Sequence, residues 1–290
     1  MPRKGGATFF QPVSNEGVIN NEGRLEAGSG LYSSATGTIN NSGILFGPIV
    51  QNDGRWTNTG TVTVQRNSPF GVQGTGTYLQ TAGTTQVDGD MSQASVQILG
   101  GSLCGVGTVT SASIVLNHAT VCPGHSPGTL TLNGDVSFND VTLAIEIAGT
   151  EPGQFDVLRI NGSATFTSGV LELAFLDGFL PQAGDHWTLL IFDGAVQGLS
   201  LLDLVPVGLP SGYAFSAALS NNGFEVAVTS VASVPEPTPA ALLTVGLVAL
   251  ALRRRARRSS QRRGVHAPRL QDAIGGARQA ACRCLQLAPR

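Results

Sequence analysis

Lysine occurs once, at Lys4, and charged residues of both signs make up only 12% of the 290 residues, against about 25% in an average globular chain. That scarcity excludes coiled coils and charged helical bundles, which need Glu, Lys and Leu in quantity. It also argues against an ordinary soluble enzyme. Aromatic residues supply 6%, and there are four cysteines and two methionines. No window before residue 235 sustains apolar residues at i, i+3, i+4 and i+7, so no amphipathic helix is expected there. In their place stand 38 glycines and 15 prolines, with abundant Thr, Ser, Asn and Val, the composition of short strands and tight turns. The length accommodates one or two domains with a sizeable core.

The net charge of −2 conceals an asymmetry. Residues 1–236 carry six basic side chains (Arg3, Lys4, Arg24, Arg55, Arg66 and Arg159) and 18 of the 19 acids, a balance of −12. Residues 237–290 hold the other eleven arginines and one acid, Asp272, a balance of +10. A split of this size marks a membrane or nucleic-acid element at one end.

Apolar residues alternate with Thr, Ser or Gln along Thr61-Val62-Thr63-Val64-Gln65, Val96-Gln97-Ile98-Leu99 and Gly128-Thr129-Leu130-Thr131-Leu132, a period of two that predicts strands. An internal repeat punctuates them. Gly17-Val18-Ile19-Asn20-Asn21-Glu22-Gly23 recurs 20 residues on as Gly37-Thr38-Ile39-Asn40-Asn41-Ser42-Gly43, and 17 further, more loosely, as Gly54-Arg55-Trp56-Thr57-Asn58-Thr59-Gly60. A strand-bearing repeat near 20 residues predicts an all-β chain built as a parallel β-helix, one coil per repeat. A coil cannot bury its inward residues alone, and stacking at about 4.8 Å turns them into a continuous column. Asn at a fixed corner can then form ladders between coils. A β-sandwich with regular turns is the competing architecture. The repeat places the β-helix over residues 15–135, with 1–14 a disordered start or the beginning of a fragment.

From residue 136 the texture changes. Longer alternating strands, such as Val141-Thr142-Leu143-Ala144-Ile145-Glu146-Ile147 and His186-Trp187-Thr188-Leu189-Leu190-Ile191-Phe192, come with Asn-Gly and Asp-Gly steps. These suggest antiparallel pairing, and residues 136–230 are expected to form a β-rich cap over the solenoid's open edge.

Gly74-Thr75-Gly76-Thr77-Tyr78-Leu79-Gln80, Gly100-Gly101-Ser102-Leu103-Cys104-Gly105-Val106-Gly107-Thr108-Val109 and Pro123-Gly124-His125-Ser126-Pro127-Gly128-Thr129-Leu130 resemble autotransporter-type β-helix passengers. Phe155-Asp156-Val157-Leu158-Arg159-Ile160-Asn161-Gly162 and Pro181-Gln182-Ala183-Gly184-Asp185 are similar to the segment that follows in many such surface proteins, and the likeness covers roughly residues 70–200 in all. The resemblance implies a surface protein and no catalytic residues.

Near the C-terminus, Val234-Pro235-Glu236-Pro237 forms an extended segment, because its two prolines exclude regular strand or helix. Residues 239–252 follow, fourteen positions without a charge, and then Arg253-Arg254-Arg255-Ala256-Arg257-Arg258. A helix over about 238–254 is expected to enter the membrane, with Arg253, Arg254, Arg255, Arg257 and Arg258 as its positive-inside stop. Fourteen residues span about 21 Å against a hydrocarbon core of about 30 Å, which suits a transient anchor better than a permanent one. A buried core helix with a solvated basic tail is the alternative. The arginines at 253–263 are also compatible with nucleic acid, but the apolar run directly before them favours the membrane.

This order is similar to the PEP-CTERM sorting signal of Gram-negative bacteria that make exopolysaccharide. The resemblance implies that the chain is a substrate of exosortase, an integral-membrane cysteine transpeptidase, with Pro235, Glu236 and Pro237 as recognition residues. It further implies an inner-membrane-anchored precursor, then a cell-surface or extracellular product, with exopolysaccharide as a possible partner. Two features depart from the family pattern. Met1-Pro2-Arg3-Lys4-Gly5-Gly6 has a positive start but no apolar stretch behind it. Residues 259–290, Arg-, Ala- and Gln-rich, continue beyond the arginines and read as a disordered tail or a frame-shifted end.

No residues upstream assemble a convincing reaction centre, so an exported, non-enzymatic surface or matrix protein is expected, without cofactor or metal. A β-helix polysaccharide hydrolase or lyase and a glycan-binding adhesin are the alternatives. Asp88-Gly89-Asp90 would offer two carboxylates about 7 Å apart if it lay on a strand, but Gly89 favours a solvated turn. Cys104, His118, Cys122 and His125 match no common zinc spacing. Gly100-Gly101-Ser102-Leu103-Cys104 lacks the Asp of calcium-binding β-rolls. Cys104 and Cys122 lie 18 residues apart, one coil at the observed period. Equivalent positions on adjacent coils are within disulfide reach, and an exported location would preserve the bond. Two buried free thiols are the alternative, since one residue of slip would point one side chain inward and the other outward. Cys282 and Cys284 lie beyond the arginines and would leave with a cleaved tail.

Overall fold

The computed structural model describes residues 6–47, 49–66, 71–220 and 223–231, together with Leu252. The described chain is all-β apart from one 3-10 turn at Leu199–Leu201. It winds through three parallel ladders, one strand per ladder in each coil. The first ladder has ten strands, from Gly6–Phe9 and Arg24–Ala27 through Ile44–Gly47, Thr61–Val64, Thr84–Val87, Gly101–Gly105, Ala119–Pro123, Val141–Ile147 and Gly169–Phe175 to Leu202–Val207. The second runs from Val13–Asn15 to His186–Phe192. The third runs from Val18–Asn21 through Thr38–Asn41, Arg55–Asn58, Thr77–Gln80 and Ser95–Ile98 to Val196–Gln197. In two coils the second and third ladders share one long bent strand, Thr108–Asn117 and Thr129–Asn139.

The repeat explains the register. Ile19 pairs with Ile39, and Ile39 with Trp56, so the apolar residue of each copy enters one inward column. That column continues through Tyr78, Val96, Ile114, Val136 and Ala164, buried throughout from Ile39 onward. Trp56 and Tyr78 meet edge to face with ring centroids 5.2 Å apart. The second Asn of each copy forms the neighbouring column, where Asn21 donates to Asn41 (2.6 Å), Asn41 to Asn58 (2.7 Å) and Asn58 to Gln80 (3.1 Å). From the next coil this column turns apolar, with Ile98, Leu116, Phe138 and Phe166 all buried. Phe138 and Phe166 stack at 4.3 Å.

The closing glycines of the repeat have a steric cause. A Cβ on Gly60 would overlap the Gly43 carbonyl oxygen, and one on Gly43 would overlap that of Gly23. Neither position needs a positive φ; the coils simply approach too closely there for a side chain.

Two boundaries differ from those expected. Gly6–Phe9 and Val13–Asn15 are already paired strands, so residues 6–14 belong to the solenoid. The antiparallel cap does not begin at residue 136, because the three ladders stay parallel up to Leu202–Val207. Among the described residues, antiparallel strand pairing involves Gly223–Val231, which joins His186–Phe192 and Tyr213–Ser220, besides isolated bridges at Gly105–Gly124 and Ile147–Phe155. The coils lengthen: Asn-to-Asn steps of 17 to 20 residues early on become 28 between Asn133 and Asn161. Alternation is the same in parallel and antiparallel strands, so the longer strands carried no sign of their partners.

Candidate functional site

The second ladder has its own internal amide column, with Asn15 donating to Ser33 (3.0 Å) and Asn52 to Gln93 (2.8 Å). These columns fix the third ladder so that alternate side chains face outward in strict register. On its outer face Asn20, Asn40 and Thr57 are register partners. Asn40 Nδ2 donates to Asn20 Oδ1 at 2.8 Å, which sets both amides. Beside them, at the corner leading to the first ladder, lie Glu22, Ser42 and Thr59. Ser42 and Thr59 hydroxyls turn back onto the carbonyl oxygens of Asn21 and Asn41. These six side chains, with Asn21 and Asn41 beneath, line an open groove of about 300 Å³ across three coils. Arg24 stays outside it, stacked 4.0 Å over the Phe46 ring and 3.9 Å from Glu26. The groove therefore holds hydroxyls, amides and one carboxylate, and no cation.

A second polar cluster lies around residues 123–128. Asp156 is buried, 1% exposed. Its two carboxylate oxygens accept N–H bonds from Gly128 (2.7 Å) and Glu146 (2.9 Å). Burial pushes its pKa up to about 6, the two backbone donors hold it down in part, and the Glu146 charge adds to the rise. On the other side of the same loop, His125 Nε2 lies 2.7 Å from Asp88 Oδ1, which also accepts from Gln86. The loop is thus held by two carboxylates from different coils. Elsewhere, Tyr78 is fully buried against Thr85, and burial raises its phenol further. Asp53 is held below the usual carboxylate range by the Thr75 backbone N–H and the Gln51 side chain.

The sequence-derived candidates fall as follows. Cys104 and Cys122 are register partners on the outer face of the first ladder, half-buried, with Cα atoms 4.5 Å apart, and are joined as a disulfide. Their sulfurs are therefore not available to His118 and His125 as a zinc set. Both histidines are exposed; His118 lies 3.4 Å from Asp140. Among the described residues no group of three or more His, Cys, Asp or Glu side chains could hold a metal ion. Asp88 and Gly89 form the corner between Thr84–Val87 and Asp90–Ser92, so the two acids do not share a strand. Val234, Pro235, Glu236, Pro237 and Arg253, Arg254, Arg255, Arg257 and Arg258 lie outside the described residues, as do the expected helix around 238–254, apart from Leu252, and the tail at 259–290. Among the described residues no helix is long and apolar enough to cross a membrane.

Sequence reasoning singled out Asp88 and His125 separately without bringing them together, and it missed the groove and the role of Asp156. The groove was written in the repeat: in each Asn-Asn pair the second residue turns inward and the first outward, by the period of two. Asp156 carried no comparable signal, its partners being the backbone N–H groups of Gly128 and Glu146. In comparisons with known proteins, no family model matches the chain and no curated protein is similar to it.

Proposed function

We propose that this protein is a non-enzymatic structural component of the cell surface or extracellular matrix, exported and sorted through its C-terminal segment. The observation that carries the reading is the order Val234-Pro235-Glu236-Pro237, an uncharged run at 239–252 and the arginine cluster at 253–258. An extended recognition segment, a short apolar helix and a positive stop together suit a substrate that is held briefly in the inner membrane and then cut. The partner of this reading is an exosortase-type membrane transpeptidase, with Pro235, Glu236 and Pro237 recognised rather than catalytic. The parallel coils upstream are consistent with a matrix component. Among the described residues their interior is filled by side chains, and their outer faces carry many Thr, Ser and Asn side chains without a convergent acid, base and nucleophile.

The test is fractionation with intact mass in a Gram-negative host that has the sorting enzyme. Cleavage near Pro235–Pro237 is expected, with loss of the arginine-rich tail and recovery at the surface or in the medium. Combining Pro235→Ala with Glu236→Ala should leave the precursor in the inner membrane. Full-length chain in the cytoplasm, or unchanged sorting of the double variant, overturns the proposal.

A further inference from the structure

We infer that the groove at Asn20, Asn40, Thr57, Glu22, Ser42 and Thr59 binds a neutral polysaccharide. Several polar groups of the groove keep unspent hydrogen-bonding capacity. Asn40 uses its Nδ2 on Asn20 Oδ1, which leaves the Asn40 carbonyl oxygen as an acceptor and the Asn20 amide nitrogen as a donor. The Thr57 hydroxyl and the Glu22 carboxylate make no hydrogen bond among the described residues, and both line the groove. The set thus presents a two-proton donor, two acceptors and a hydroxyl that does either. Sugar hydroxyls also donate and accept, so neighbouring hydroxyls on two linked rings can satisfy them.

Charge narrows the ligand class. Glu22 is the only ionised side chain in the lining, and Arg24 is held on Phe46 and Glu26. A phosphate, a nucleic acid or a uronate would bring like charge to Glu22 with no cation in the lining to compensate, the exposed Arg55 lying outside it two residues before Thr57 on the same outward face, and this disfavours it. A peptide would need apolar anchors, and the lining holds no apolar side chain, the exposed Val18 and Ile44 lying outside it. Backbone pairing with a peptide strand is blocked at Thr38–Asn41 and Arg55–Asn58, which have ladder neighbours on both sides, leaving Val18–Asn21 with one ladder neighbour among the described residues.

Dimension and rigidity agree. Three stacked coils at about 4.8 Å spacing extend the polar row over about 10 Å, the length of a disaccharide within a longer chain. The amides are fixed from beneath by the Asn21, Asn41 and Asn58 column, so ordering them costs little on binding. This inference adds a ligand to the surface or matrix reading, but it rests on the groove alone; sorting can fail while binding holds, and the reverse.

The experiment is affinity electrophoresis of the purified full chain through gels containing dextran, hydroxyethylcellulose or polygalacturonate. Retardation by at least one neutral polymer and none by polygalacturonate is expected. Asn40→Ala combined with Thr57→Ala should weaken the apparent affinity at least fivefold at unchanged thermal midpoint. The control is Asn139→Ala, in an equally exposed amide row where Asn139 donates to Asn117 at 2.7 Å outside the groove; it should bind as the parent does. Glu22→Gln tests the charge argument separately and should bring some retardation by polygalacturonate. No retardation by either neutral polymer, equal loss in the Asn139 variant, or undiminished binding by the double variant overturns the inference.

Discussion

Asp156 sets a pH dependence that runs against the usual carboxylate direction. Its folded pKa, about 6, lies above the ordinary 3.8, so the folded state holds this proton where the unfolded chain has released it. Stability from this group is therefore fully present below about pH 4 and declines as pH rises to about 6. A shift of roughly two units corresponds to at most about 3 kcal/mol. Asp53 works the other way, because its lowered pKa gives stability above its ordinary value that is lost on acidification. Subtracting an Asp156→Asn variant isolates the first contribution. Parent-minus-variant stability, from urea titrations between pH 4 and 7, should fall with rising pH and level off above 6. A flat difference, or one that rises, would show that the Gly128 and Glu146 N–H bonds outweigh burial.

The element that organises the N-terminal coils is the internal amide column, and its members are not interchangeable with the amides outside. Asn41 accepts from Asn21 and donates to Asn58, both bonds buried, and donates to the half-buried Thr61 carbonyl oxygen. Asn41→Ala leaves these groups short of partners in two adjacent coils, at about 1–3 kcal/mol for each buried group left unpaired, so a loss of about 2–4 kcal/mol is expected in urea unfolding. Asn40→Ala, one residue away but outward, should lose well under 1 kcal/mol, since water replaces its partner. Equal losses would contradict the inward and outward assignment. That assignment was legible in the Asn-Asn pairs, as were the parallel stacking and the 17–20 residue coil, because Gly, apolar and Asn positions recur where three kinds of contact recur. Legibility ended where Ile98, Leu116 and Phe138 take over from the amides. Apolar columns are satisfied by many side chains, so the repeat dissolves in sequence while the ladders continue. The Asp156 cluster was hidden for a different reason: its partners are backbone N–H groups, which every residue carries.

Across the molecule, the change from an amide to an apolar interior divides a linear array into coils of unequal strength. In such an array each coil is stabilised by itself and its neighbours, and segments open at different free energies. Stacked amides exchange water for protein partners at a net gain of about 1 kcal/mol per bond, whereas each fully buried Leu, Ile or Phe contributes about 1.5–3 kcal/mol. The two tryptophans sample the two regimes. Trp56 lies among the amide-cored coils with its Nε1–H buried and without a hydrogen-bond partner among the described residues. Trp187 lies in the apolar-cored region, where its Nε1–H donates to the Gly149 carbonyl at 2.9 Å and its ring meets Phe175 and Phe179. Between them, the Cys104–Cys122 bond closes an 18-residue step, a constraint of roughly 3 kcal/mol on the chain-entropy account. Fluorescence of Trp187→Phe, which reports Trp56, should therefore fall at lower urea than that of Trp56→Phe, which reports Trp187. Hydrogen exchange of the parent chain should show residues 19–65 losing protection before residues 130–190, which separates the array's own gradient from any effect of the substitutions. Coincident midpoints with uniform protection would instead mean that the coils unfold as one block, and that the amide columns bind neighbouring coils as firmly as the apolar ones do.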